Sequence, residues 1–106
     1  MPLNFKQRVI TCVKSIPPGR VASYGQVAAA CGCLRAARQV GGILRAIDAA
    51  AGDMPWWRVV NSRGRLSIKG NWTASKELQA QLLKKEGVRV NEKYQLNMET
   101  YRWRMG

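Results

Sequence analysis

The sequence predicts a small, mainly α-helical domain that contains a helix-turn-helix and a short β element. Three observations predict this fold class: apolar residues at helical spacing near the start, a helix-capping pattern followed closely by a second helical pattern, and a brief apolar run in the middle. The chain has 106 residues. This length allows one hydrophobic core and little more, so we expect one domain over residues 1–106 and one functional site.

The first half of the chain contains the two helices that open the domain. Apolar residues recur at helical spacing between Phe5 and Ile16, which predicts an amphipathic helix that a Pro-Pro-Gly turn ends. Ser23 followed by Gln26 is the pattern of a capping box, and it predicts a short helix that ends near Gly32.

A third helix is predicted from near Leu34 to about Asp48, with Val40 and Leu44 on the face that packs against the core. Because only a few residues separate it from the preceding helix, the pair is predicted to form a helix-turn-helix. Residues 56–60 are a short apolar run that supplies the β element.

The second half of the chain is predicted to contain one further helix. Leucines at helical spacing place it from about Ala74 to Glu86, and Gly87 is its C-terminal stop. Val88 and Val90 are predicted to form a brief strand. The remaining C-terminal residues show no clear period.

The charge of the chain predicts a polyanionic partner. Eighteen Lys and Arg residues against six Asp and Glu residues give a formal charge of +12, and before Asp48 every charged side chain is basic. Phosphates attract such a surface, because each neutralised phosphate releases condensed counterions. No apolar run reaches the roughly 20 residues that span a bilayer, and the start of the chain does not read as a signal peptide. We therefore expect a location in the cytosol or on the nucleoid, and no membrane partner.

Cysteine and histidine usage argues against most catalytic and metal sites. The three cysteines, Cys12, Cys31 and Cys33, are an odd set, which predicts reduced thiols rather than a disulfide framework. The chain has no histidine, so a zinc site would lack ligands and the commonest general base is missing. We expect no metal, no cofactor and no ordinary hydrolytic catalysis.

Residues 54–64 read Met-Pro-Trp-Trp-Arg-Val-Val-Asn-Ser-Arg-Gly. The segment resembles the Pro-Cys-His-Arg-Val signature of the O6-alkylguanine-DNA alkyltransferases, with Trp56 in the place of the alkyl-accepting cysteine and Trp57 in the place of the histidine. Tryptophan in place of that cysteine is typical of the alkyltransferase-like proteins, and the closing Tyr-Arg-Trp at residues 101–103 resembles their tail. Further blocks resemble the transferase DNA-binding domain in the same order: residues 16–21, 23–26, 36–41 and 82–87.

The resemblance implies a winged helix-turn-helix-like DNA-binding domain that is not an enzyme. Such a protein flips O6-alkylguanine out of duplex DNA, binds it without alkyl transfer and promotes nucleotide excision repair. The implied partners are double-stranded DNA that contains the lesion and proteins of that repair pathway, and we expect the protein to act as a monomer.

The resemblance also implies a pocket for the flipped base. Trp56 would form its floor or wall, where an indole can stack on the base but offers no nucleophile; a core position is its alternative role. Tyr24 would touch the flipped base, and the main-chain carbonyls of Trp56 and Val59 would accept hydrogen bonds from guanine. The pocket loop would bring Lys69 to the modified oxygen, next to Gly70, although a solvated basic turn is the alternative for this loop.

The resemblance assigns the main DNA contacts to the third helix. Arg38 would enter the base stack and fill the space that the flipped nucleotide leaves, since a guanidinium plane can stack on bases and donate hydrogen bonds. From the helix alone, an ordinary phosphate contact is the alternative. Small residues before Arg38 would let the helix enter the minor groove. The predicted DNA-binding residues are Ser23, Ala36, Ala37, Arg38, Gln39 and Gly41.

Four residues carry subsidiary predictions. Gly41 and Gly42 each cost about 1 kcal/mol relative to alanine inside a helix, which predicts the close approach of another backbone; helix packing and a tight fit to DNA are both compatible with it. Trp57 is predicted only to pack. Glu86 corresponds to the family glutamate that orients the histidine, so we expect it to be a structural remnant.

Two other functions remain open at the level of the sequence. In the first, Cys12, Cys31 or Cys33 accepts the alkyl group, and a stable alkyl adduct would identify it. In the second, the protein is a helix-turn-helix regulator that reads ordinary DNA sequence, which would make it indifferent to guanine alkylation.

Overall fold

A computed structural model describes residues 4–46, 54–66 and 75–104 of the chain. The described part is mainly helical and has one two-stranded sheet, which confirms the predicted fold class. Its elements are α1 (Phe5–Lys14), β1 (Ala22–Ser23), α2 (Tyr24–Ala30), α3 (Ala37–Ala46), a 3-10 turn (Trp56–Arg58), β2 (Val59–Val60), α4 (Lys76–Lys85) and α5 (Met98–Tyr101). Among the described helices, none has the length and apolar character needed to cross a membrane.

Both of the opening helices begin at a capping box. In α1, the Asn4 side chain accepts a hydrogen bond from the backbone of Gln7 at 2.8 Å, and the Gln7 side chain accepts one from the Asn4 backbone at 3.0 Å. In α2, Ser23 and Gln26 exchange the same two bonds, each at 3.0 Å, as the sequence predicts. Each box pairs backbone N–H groups that a helix start leaves without partners, which fixes where the helix begins.

The turn of the helix-turn-helix is longer than predicted. Helix α3 begins at Ala37 rather than near Leu34, because the Ala36 N–H donates to the Cys33 carbonyl at 3.0 Å and closes a tight turn before the helix. Gly32 has a φ of +81°, the left-handed conformation that ends a helix, as predicted. The Arg8 guanidinium donates to the Cys31 carbonyl at 3.0 Å and ties α1 to the end of α2.

The two strands are parallel and bring the start of α2 beside the tryptophan motif. Ala22 pairs with Val59, and Ser23 pairs with Val60. All four residues are buried. The sheet is therefore the structural link between the helix-turn-helix and the Trp56–Arg58 turn.

The C-terminal third differs from its prediction in two ways. Helix α4 is confirmed, with Ser75 as its cap and Gly87 at a φ of +88° as its stop, although Ala74 lies outside the described residues. The predicted strand at Val88 and Val90 is wrong. The Val88 N–H donates to the Leu83 carbonyl and so continues the end of α4, and the Val88 side chain is buried in the core.

Helix α5 was not predicted. The Asn97 side chain accepts hydrogen bonds from the backbones of Glu99 (2.9 Å) and Thr100 (3.3 Å), and it caps one short turn. The tail then pairs with Val21, whose N–H donates to Tyr101 at 2.8 Å and whose carbonyl accepts from Trp103 at 2.7 Å. The tail thus packs beside the beginning of α2.

Candidate nucleic-acid interface

Helix α3 presents one face to the core and the opposite face to solvent. Val40 and Leu44 are buried, at 0% and 3% exposure. Arg38 and Arg45 are exposed. Because seven residues are nearly two full turns, these two arginines lie on one face, about 140–160° around the helix from Val40. The core contacts therefore leave Arg38 facing outward, as the predicted DNA contact requires.

Tyr24 and Gly41 are neighbours where α2 and α3 pack together. Tyr24 is half-buried, and a Cβ atom placed on Gly41 would lie 3.7 Å from Tyr24 Cε1. The close approach predicted at Gly41 thus involves the tyrosine ring rather than another backbone. At Gly42 a Cβ atom would meet nothing within 4 Å, so the backbone-contact prediction is wrong there among the described residues. Helix packing accounts for Gly41, and its contact with DNA stays a prediction.

The other predicted DNA-binding residues have different environments. Ser23 is only 6% exposed, and its hydroxyl already caps α2, which makes it the least accessible of the set. Ala36 and Ala37 are half-buried at the start of α3. Gln39 is exposed and lines an open groove of about 480 Å³ between the beginning of α1 and α3, away from the Arg38 face.

Trp56 is a core residue. Its side chain is 2% exposed and belongs to the same buried cluster as Val9, Val13 and Val59. Its ring meets the Trp57 ring edge to face, with centroids 6.0 Å apart and an interplanar angle of 86°. The alternative core role considered for Trp56 is thus present, and contact with a flipped base stays a prediction.

Glu86 joins three segments of the chain. Its carboxylate accepts hydrogen bonds from the Trp57 indole N–H at 3.0 Å, from the Arg58 guanidinium and from the Gly19 backbone N–H at 3.2 Å. Arg58 also donates to the Ile16 carbonyl at 2.8 Å and lies 5.3 Å from the centroid of the Trp57 ring. The prediction that Trp57 only packs is therefore wrong, because its N–H is part of this network.

The hydrogen bonds around Glu86 favour its charged form. Burial disfavours a carboxylate, but the hydrogen bonds from Arg58, Trp57 and Gly19 outweigh that cost and lower the pKa of Glu86. The Arg58–Glu86 pair is well shielded, because each side chain is only 13% exposed. Glu86 thus has a structural role, as predicted. It anchors the Trp56–Arg58 turn to Gly19, near the start of the domain.

Gln79 is a site residue that the sequence analysis missed. Its side chain is fully buried, and its amide N–H₂ donates to the carbonyls of Trp57 at 3.1 Å and Val59 at 2.9 Å. Its own oxygen has no hydrogen-bond partner among the described residues. The signal was available in the sequence, since Gln79 lies one helical turn before the core residue Leu83 and therefore on the buried face of α4.

This arrangement bears on the predicted guanine contacts at Val59. Its side chain is 1% exposed, and its carbonyl already accepts the Gln79 amide. The Trp56 carbonyl accepts the Val59 N–H. Any bond from a base must therefore share these carbonyls with their internal donors. Lys69 and Gly70, the other predicted pocket residues, lie outside the described residues.

The cysteines lie away from the tryptophan motif in the sequence and belong to different elements. Cys12 is on α1, Cys31 follows α2, and Cys33 is in the turn. Burial raises the pKa values of the Cys12 and Cys31 thiols. Within residues 4–46, 54–66 and 75–104, no group of three His, Cys, Asp or Glu side chains is arranged to hold a metal ion.

Residues 4–88 match the family described as 6-O-methylguanine DNA methyltransferase, DNA binding domain. A DNA base-flipping protein of Escherichia coli strain K12 is 43% identical over 100 residues, which cover 94% of this chain and 74% of the relative. Alkyltransferase-like protein 1 of Schizosaccharomyces pombe is 36% identical over 105 residues, which cover 95% of each chain.

Solved structures show the same relationship. The S. pombe protein in complex with damaged DNA containing O6-carboxymethylguanine has a TM-score of 0.88 and 34% identity, and the match covers 99% of this chain and 100% of that one. Mycobacterium tuberculosis OGT in complex with DNA has a TM-score of 0.69 and 30% identity, over 82% of this chain and 51% of that one. The chain therefore belongs to the family of the 6-O-methylguanine DNA methyltransferase DNA-binding domain, as an alkyltransferase-like member.

Proposed function

We propose that this protein recognises O6-alkylguanine in duplex DNA, turns the damaged nucleotide out of the helix and holds it without alkyl transfer. Its relatives include proteins named for base flipping, and a protein of the same fold is solved with DNA that contains an O6-modified guanine. The formal charge of +12 and the exposed arginines of α3 supply attraction to phosphate.

The observation that carries this proposal is the tryptophan at the acceptor position of the motif. Trp56 has no nucleophilic atom, and its side chain is packed in the core. Cys12 and Cys31 are poor substitutes, because a thiolate is the reactive form and burial raises the pKa values of both thiols. We infer that the protein is not an enzyme.

Arg38 is the residue that we assign to the space left by the nucleotide. It is exposed at the beginning of α3, and the two preceding alanines present little bulk to a groove wall. A guanidinium group there can stack between bases and donate to the unpaired partner base, while its charge lies among phosphates. Gln39 follows Arg38 in the chain, Gly41 lies about one helical turn after it, and Ser23 contributes by holding the start of α2.

The base pocket that we propose is formed by Tyr24, Trp56, Val59, Lys69 and Gly70. The half-buried Tyr24 ring packs beside α3, where an aromatic ring with a hydroxyl suits stacking and one hydrogen bond. Trp56 and Val59 support the pocket from the core and through their main chain. Lys69 supplies a cation for the modified oxygen.

We further propose that the bound complex is the signal for repair. A protein that binds the lesion without removing it needs a second activity to restore the DNA, and nucleotide excision repair is the pathway implied by the subfamily resemblance. The protein would act as a monomer in the cytosol or on the nucleoid.

Mass spectrometry of a stoichiometric complex tests whether transfer occurs. The protein is incubated with a duplex that contains one O6-methylguanine, and both components are recovered and weighed intact beside an undamaged-duplex control. We expect both masses to stay unchanged. A protein heavier by one methyl group, which digestion locates on a peptide that contains Cys12, Cys31 or Cys33, would contradict the proposal and identify a relocated acceptor.

A further inference from the structure

Leu34 is an apolar residue whose side chain is exposed to solvent. It is 79% exposed, and among the described residues it is the one large hydrophobic side chain in that condition. It lies in the turn of the helix-turn-helix, four residues before Arg38. Single exposed leucines are ordinary on protein surfaces, so the position and setting of this one must carry the argument.

Backbone hydrogen bonds define the turn that carries Leu34. Hydrogen bonds of 3.0 Å run from the Gly32 N–H to Ala29 and from the Cys33 N–H to Ala28, and a third closes the turn from Ala36 to Cys33. Leu34 and Arg35 are the two central residues of that turn, and both are exposed. The backbone under Leu34 is thus ordered before binding, so little conformational entropy remains to be lost there.

The residues near Leu34 in the chain are basic and favour a polyanionic partner. Arg35 is adjacent in the turn, Arg38 follows on α3, and no acidic residue precedes Asp48 in the chain. An apolar side chain beside cations fits DNA, where the cations meet phosphates and the apolar group meets the sugar and base surface of a groove. An acidic protein surface would satisfy the arginines but offers no equally regular apolar floor.

We propose that Leu34 is an apolar DNA contact that enters the minor groove beside the base step opened by nucleotide flipping. Proteins that deform DNA through this groove commonly insert apolar side chains against partly unstacked bases. Leu34 is solvated in the free protein and would be buried in the complex, so its transfer from water favours the bound state alone. The inference rests on the proposed function and adds a second contact to that of Arg38.

The test compares Leu34→Ala, Leu34→Met and Arg35→Ala on matched duplexes with and without O6-methylguanine, over a series of salt concentrations. We expect Leu34→Ala to weaken binding of the lesion duplex about 5- to 30-fold, the range that corresponds to the loss of most of a buried leucine side chain. Its salt slope stays that of the wild type. Leu34→Met keeps wild-type affinity within about twofold, since it retains apolar volume. Arg35→Ala, if it loses a phosphate contact, lowers the salt slope by about one.

A second readout separates a groove contact from a general loss of folding. With 2-aminopurine next to the lesion, Leu34→Ala should reduce the rise in fluorescence that accompanies unstacking at saturating protein. The Tm of the free variant should match the wild type, because Leu34 is exposed. Unchanged affinity of Leu34→Ala for both duplexes, or a loss that follows a lowered Tm, overturns the inference.

These outcomes also separate the inference from the proposed function. Wild-type protein that binds both duplexes equally defeats lesion recognition, whereas an affinity loss in Leu34→Ala on both duplexes would still support a leucine–DNA contact. Wild-type lesion preference with an unaffected Leu34→Ala variant defeats the leucine contact alone.

Discussion

The indole N–H of Trp57 donates a 3.0 Å hydrogen bond to the Glu86 carboxylate. An indole N–H only donates, whereas an imidazole can also accept and carry a proton. Trp57 therefore donates to Glu86 but cannot relay a proton. The hydrogen bond orients the indole ring of residue 57 against the carboxylate.

Removing this hydrogen bond should cost stability. Trp57→Phe keeps an aromatic ring beside Arg58 but takes away one donor from a shielded carboxylate, so we expect the free energy of unfolding to fall by about 1.5–3 kcal/mol. Denaturant unfolding at neutral pH measures this change. Trp57→His is the matched control because it restores a donor. A Phe variant as stable as the wild type would show that the bond contributes nothing.

Glu86 should make stability depend on acid pH. Its folded-state pKa lies below the ordinary value, so the unfolded chain binds a proton more readily and stability rises with pH across that interval. The contribution is complete above the unfolded pKa, about 4.3, and is lost as the pH falls through the lower folded pKa. Stability measured from pH 7 downward should show this loss in the wild type.

Glu86→Gln is the variant that isolates this contribution. It should be less stable than the wild type at pH 7, because Arg58 loses its charged partner in a shielded setting. The difference between the two proteins should shrink as the pH falls below about 4. A difference that stays constant with pH would assign the effect to packing rather than to charge.

Gln79 should stabilise the backbone behind Trp57 and Val59. Gln79→Met preserves volume but removes the donors to both carbonyls, which predicts a loss of about 1–3 kcal/mol, reduced because the unpartnered amide oxygen also disappears. Thermal or denaturant unfolding gives the value. Gln81→Met on the exposed face of the same helix is the control and should change stability by less than about 0.5 kcal/mol.

Arg38→Ala should weaken binding to damaged and undamaged duplexes alike. Loss of a stacked guanidinium and its hydrogen bonds predicts a cost of about 1–3 kcal/mol in binding. Fluorescence anisotropy at fixed salt measures both duplexes. Arg45→Ala removes the same charge from the same face of α3 and should leave flipping intact, as 2-aminopurine fluorescence reports. If the two variants affect flipping equally, Arg38 contacts phosphate and does not fill the space left by the nucleotide.

Trp56→Phe should mainly reduce the preference for damage. The smaller ring leaves a partial cavity in the core, with a stability cost below the roughly 3–5 kcal/mol of truncation to alanine. The ratio of affinities for damaged and undamaged DNA should fall, while affinity for undamaged DNA changes little. The free energy of unfolding of the variant, measured in parallel, shows whether a loss of binding comes from loss of folded protein. Equal losses on both duplexes would count against a pocket role for Trp56.

Local signals in the sequence predicted most of the helical framework. The Ser23–Gln26 capping box fixed the start of α2, and Gly32 and Gly87 marked helix ends because their left-handed backbone strains other residues. The start of α3 was misplaced because a turn closed by one backbone hydrogen bond leaves no clear pattern. Helix α5 was missed because one turn is too short to show a period.

The candidate site was harder to predict because its contacts join distant segments. The family resemblance links Glu86 to the residue at position 57, but nothing in the sequence indicates that Gly19 and Arg58 also donate to it. Periodicity places Gln79 on a buried face, but only the packed structure shows which carbonyls it reaches. The outward position of Arg38 was predictable, since it follows directly from burial of Val40 and Leu44 on the same helix.

The most direct test of lesion recognition is the ratio of dissociation constants for two duplexes that differ only by one O6-methylguanine, measured at one fixed salt concentration. Electrostatic attraction contributes equally to both, so the ratio isolates recognition of the damaged base. Lesion recognition predicts clearly tighter binding of the damaged duplex by wild-type protein. Equal dissociation constants would contradict it and would favour a general or sequence-specific DNA-binding domain.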